Sequence, residues 1–134
     1  MNIETNNINT CWTIFYVKDQ KQSALFYEQV FNKKPDLDVP GMTEFKLGDK
    51  VSLGLMPEAG IKRILGEALP DPAQASGIPR AELYLSMTDA NNYHQRALRA
   101  GARELSHLQD RSWGEKAAYS LDPDGHVLAF GQPI

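Results

Sequence analysis

The chain has 134 residues, 42% of them hydrophobic and 23% charged, with 14 basic and 17 acidic side chains and a formal net charge of −3. That is the balance of one compact globular domain, or of two small halves sharing a core. No cluster of Lys or Arg argues for nucleic acid, no apolar run approaches the roughly 18 residues of a membrane span, and the lone Cys11 rules out an internal disulfide and any Cys-based zinc cluster.

The N-terminal stretch MNIETNNINT is polar and lacks the basic and apolar segments of a signal peptide, so a reducing, cytoplasmic location is expected. Trp12–Asp19 follows as a β-rich run ending in an acidic residue. Alternation puts Thr13, Phe15 and Val17 on one face and Trp12, Ile14 and Tyr16 on the other. Asp19 is placed to cap a helix whose apolar face is Phe26, Tyr27, Val30 and Phe31, and Pro35 bars its continuation. Strands are then expected at Leu37–Val39, Glu44–Leu47 and Val51–Met56, the last two joined by Gly48-Asp49-Lys50. Pro57 to Arg80 shows no alternation and reads as a linker with a short helix around Ile64–Leu69. A connection of that length has a role such as crossing or covering a binding site.

Glu82–Asp89 repeats the opening pattern: Asp89 stands 70 positions after Asp19 (89 − 19) and should cap a second helix. Leu83, Leu85 and Met87 should pack on that helix, leaving Glu82, Tyr84 and Ser86 on a wet or ligand-lined face. Tyr93, Ala97, Leu98 and Ala100 mark the helix, and Gly101 stops it. Strands follow at Arg103–His107, Lys116–Leu121 and His126–Phe130, the last pair joined by Asp122-Pro123-Asp124-Gly125, strong turn chemistry. Each half therefore reads β-α-β-β-β, an α+β fold with module one at 10–57, a linker at 58–80 and module two at 81–131 of a single 1–134 domain.

The duplicated pattern, with Val17-Lys18-Asp19, the helix from Ser23 to Phe31, Ala100-Gly101-Ala102, and Trp113-Gly114 ahead of Asp122-Pro123-Asp124-Gly125, resembles the vicinal-oxygen-chelate superfamily of glyoxalases, extradiol dioxygenases and bleomycin-resistance proteins. The resemblance implies two βαβββ modules forming a cup-shaped mixed sheet with helices on its outer face. It also implies a ligand in the cup, often with a divalent metal. Metal-dependent members carry His, Gln or Glu at the start of each module's first strand and Glu near the end of its last. Here those positions match Trp12, Glu82, Ala129 and a residue within Leu53-Gly54-Leu55. Only Glu82 can bind a metal, so no metal cofactor is expected. His94, His107 and His126 lack the spacing of a metal motif and read as surface or capping residues.

Two functional readings follow from the resemblance. The first is a metal-free binding or sequestration protein, nearest the bleomycin-resistance branch. In it a small organic molecule, such as an aromatic one, lies against Trp12, Tyr16, Tyr84, Trp113 and Tyr119 with Glu82 as anchor. The same aromatic residues would equally suit a dimer interface or sheet packing, and a homodimer is expected. The second reading is a lyase, isomerase or dioxygenase, with ligands drawn from Glu82, His107, His126 or Glu115, or with Glu82 as a metal-free general base. A dimeric module with no dedicated ligand is a third. Lys116 could meet an anion, while Cys11 has no activating partner in sequence.

Overall fold

The computed structural model describes residues 8–134, so most of the polar N-terminal stretch MNIETNNINT lies outside the described residues. The elements run β1 (Cys11–Val17), α1 (Gln20–Phe31), β2 (Leu37–Val39), β3 (Met42–Gly48), β4 (Val51–Pro57), α2 (Glu58–Leu65), β5 (Glu82–Ser86), α3 (Ala90–Arg99), β6 (Arg103–Asp110), β7 (Glu115–Leu121) and β8 (Val127–Pro133). They form two four-stranded mixed sheets of the same design, ordered β1-β4-β3-β2 and β5-β8-β7-β6. In each, the first strand pairs parallel with the last and the remaining neighbours are antiparallel.

The parity expected from sequence holds. Phe15 and Val17 are buried in the core with Leu83, while Leu85 and Met87 pack against it. The opposite face of β1 leaves Trp12 48%, Ile14 42% and Tyr16 37% exposed. Helices thus cover one face of each sheet, as period-2 strands with one apolar side require. Between modules α1 and α3 pack together, and Arg96 Nε donates to the Val30 carbonyl at 2.9 Å.

Three local expectations need correction. Asp19 caps α1 by accepting from Gln22 N at 3.0 Å, but Asp89 makes no such bond. Its carboxylate accepts from the Asn92 side chain instead, and the first α3 amide, Ala90 N, donates to Gln132 Oε1 at the end of β8. The linker helix spans Glu58–Leu65, earlier than Ile64–Leu69, and two 3₁₀ turns, Gly66–Ala68 and Pro72–Gln74, follow it. Glu58 in its first turn and Lys62 and Arg63 in its last suit the helix dipole, and Lys62 Nζ closes the end on the Gly66 and Leu69 carbonyls. His94 is no surface residue: it is fully buried on α3 beside Ala90 and Ala97, with Nε2 2.8 Å from Glu104.

Candidate functional site

The open face of the second sheet gathers four of the six residues singled out from sequence. Register sets Tyr84 of β5 and Tyr119 of β7 on either side of Ala129, and pairs Glu82 with Val127 one step along. Trp113, in the turn before β7, donates from Nε1 to the Tyr84 hydroxyl at 3.0 Å. Arg111 lies over the Tyr119 ring, 5.2 Å from its centroid, and is fixed there by bonds to Ser106 Oγ and the Ala117 carbonyl. Glu82 is exposed and makes no hydrogen bond or ion pair among the described residues.

Glu115 completes the cluster. The Tyr84 and Ser86 hydroxyls both donate to its carboxylate. These two bonds, Ser86's first, hold Glu115 below its ordinary value. Burial, and then the bond to Glu115, push the Tyr84 phenol up. At neutral pH the pair is thus a phenol donating to a carboxylate. Gly131 makes the arrangement possible: a Cβ there would collide with Tyr84 Oη and with Glu115 Oε1. Sequence reading places Glu115 only among spare metal ligands and passes over Gly131, because their convergence depends on pairing between β5, β8 and β7, which is not local.

Trp12 and Tyr16 lie on the equivalent face of the first sheet. No hydrogen bond or ring contact among the described residues joins them to the second-module set. Register makes Gly54 the counterpart of Ala129, since Ile14 pairs with Gly54 as Tyr84 pairs with Ala129. The space a Gly54 side chain would take is already occupied by Met42 Sδ and Ile14. The α2 helix leans over the far end of this face, where Met42, Met56, Arg63 and Ile64 line a shallow hollow.

The donor set therefore does not fit the metal of the wider superfamily. Its four positions resolve to Trp12, Gly54, Glu82 and Ala129, one carboxylate among them. Among the described residues no three His, Cys, Asp or Glu side chains are placed to hold a metal ion. His107 is exposed on β6. His126 stacks on Phe15 with centroids 4.1 Å apart and bonds to Asp122 from Nδ1, so it is structural. Cys11 is a free, exposed thiol. Among the described residues no helix is long and apolar enough to cross a membrane.

The family model described as Glyoxalase-like domain matches residues 10–134. An uncharacterized protein of Mycobacterium bovis is 28% identical over 132 residues, covering 96% of this chain and 86% of its own length. Among solved structures, a glyoxalase-related enzyme from Fulvimarina pelagi superposes with a TM-score of 0.76 at 19% identity, covering 92% of this chain and 86% of its own. A glyoxalase/bleomycin resistance protein/dioxygenase family enzyme from Burkholderia phytofirmans gives 0.77 at 16% identity, covering 92% and 97%.

Proposed function

The chain belongs to the glyoxalase-like domain family, and from that premise we propose that it binds a small planar organic molecule on the open face of its second sheet. Tyr84, Trp113 and Tyr119 form the walls and Glu82 is the charged anchor. The observation that carries this reading is the setting of Ala129. Rings stand on both sides of it, and a carboxylate lies toward each end, Glu82 and Glu115. Aromatic walls give large contact area with polar tips. Paired carboxylates select a ligand that carries positive charge or several hydrogen-bond donors.

Binding or sequestration is favoured over catalysis by the state of the Tyr84–Glu115 pair. The Tyr84 and Ser86 hydroxyls already donate to the Glu115 carboxylate, so the group is engaged in framing the face rather than open to a substrate proton. Trp12 and Tyr16 enter through a homodimer that sets the first-sheet face of one copy against the second-sheet face of another. The exposure of Trp12, Ile14 and Tyr16 on one face supports that arrangement.

Ethidium, a planar aromatic cation, serves as the probe. Saturable quenching of tryptophan fluorescence is expected, weakened about tenfold by Tyr84→Ala and severalfold by Glu82→Gln. Quenching that does not saturate, or that Tyr84→Ala leaves untouched, overturns the reading. Elemental analysis finding stoichiometric Zn, Ni, Mn or Fe overturns its metal-free part. In sedimentation equilibrium the unaltered chain is expected to be a dimer and Ile14→Glu a monomer.

A further inference from the structure

The two modules meet along two seams related by the internal repeat, and only one is filled. In the filled seam the β7–β8 turn docks on β1 and α1. Tyr27 donates to Asp122 at 2.5 Å, His126 stacks on Phe15, and Lys18 N donates to Asp124 Oδ1 at 2.9 Å. Burial lifts the Asp124 carboxyl, as expected of a group enclosed by the contact.

Counting back from the paired positions Gly54 and Ala129, the other seam has Leu47 in the place of Asp122 and Val51 in the place of His126. Leu85 replaces Phe15, and the position eight residues after the helix-initiating Asp, Tyr27 in α1, is Ala97 in α3. Each exchange removes a ring or a hydrogen-bonding group, and Ala97 ends in the core. The result is a cavity of about 410 Å³ between the modules, with Phe31, Leu47, Val51, Leu85, Met87 and Tyr93 as its apolar lining. That volume lies within the range of about 300–1,000 Å³ of small-molecule sites.

The rim of the cavity is cationic. Lys33 Nζ is tied to Asp36 at 2.9 Å and to the Lys46 carbonyl at 3.0 Å. The Lys46 ammonium makes no hydrogen bond or ion pair among the described residues. The Lys33 and Lys46 ammonium groups thus share the Asp36 carboxylate, which leaves one net positive charge above an apolar floor.

We propose that this open seam is a second binding site, for an elongated apolar molecule ending in an anionic group, with its body between Leu47, Val51, Leu85 and Met87 and its head at Lys46. The site stands apart from the open-face reading and shares with it only Tyr84 and Ser86 at its border.

Decanoate is the probe, with decanol as its neutral counterpart, followed by calorimetry and amide chemical shifts. One decanoate per chain is expected. Val51→Trp, which fills the cavity from a half-exposed strand position, should weaken binding at least tenfold. Lys46→Gln, on the surface, should weaken decanoate about threefold and leave decanol unchanged. Absence of saturable decanoate binding, or undiminished binding by a folded Val51→Trp, overturns the proposal. Equal response of decanoate and decanol to Lys46→Gln overturns the anionic head. Both substitutions lie outside the open-face rings, so ethidium binding by these variants reports separately on the other reading.

Discussion

Tyr27 is wholly buried, and its hydroxyl has one acceptor, the Asp122 carboxylate, which also takes the backbone amides of Asp124 and His126. Asp122 therefore satisfies several donors, of which the Tyr27 hydroxyl is beyond the reach of solvent. Asp122→Ala should cost about 3–5 kcal/mol and Tyr27→Phe about 1–3 kcal/mol in urea unfolding, because the first strands a buried hydroxyl and opens the turn and the second removes one charge-assisted bond. Burial and the Asp122 charge push the Tyr27 phenol well above its ordinary value. A raised folded-state value stabilises below the unfolded value, about 10, and the contribution is lost as pH rises through the folded one. Stability should accordingly fall steeply above about pH 10, and Tyr27→Phe should flatten that fall; urea midpoints at pH 8 and pH 11 check it. At the candidate site, Gly131→Ala forces apart the tips of Tyr84 and Glu115 without touching the core. The variant should fold normally, shift the emission of Trp113, and lose ethidium binding about tenfold.

The two α-helices of the repeat begin in different ways despite the same Asp. Asp19→Ala should cost about 1 kcal/mol, whereas Asp89→Ala should cost a few tenths and Gln132→Ala about 0.5–1 kcal/mol, because Gln132 holds the first amide of α3. Thermal or urea unfolding of the three variants checks the order. This difference also marks what sequence could reveal. The two faces of β1 and β5 were legible because strand parity is local: the side of Trp12 is set by its neighbours alone. The cap of α3 was not, since Gln132 arrives from the last strand. The linker helix was expected too late, at Ile64–Leu69, although Pro57 precedes the helix and Gly66 ends it. His94 was misplaced because a polar side chain on a helix reads as solvated, whereas α3 buries the face of Ala90, His94 and Ala97. Of the candidate site, the rings were legible and the frame around them was not: Glu115 and Gly131 meet Tyr84 only through sheet register.

At the scale of the whole molecule, the sealed seam, the α1–α3 contact and the Arg96 bond join both modules. Each module holds one tryptophan, Trp12 in the first and Trp113 in the second. Trp12→Phe and Trp113→Phe, each leaving one reporter, should give the same urea midpoint within error, as one cooperative unit requires. Separate midpoints would mean that the seams are too weak to couple the halves. The sealed seam also sets an order of events during synthesis. Phe15 and Tyr27 leave the ribosome long before Asp122 and His126, the residues that cover them, which belong to the β7–β8 hairpin of the second module. The first module must therefore wait with two aromatic rings uncovered until that hairpin emerges, and a chain stalled or truncated before it would present that surface to chaperones and proteases.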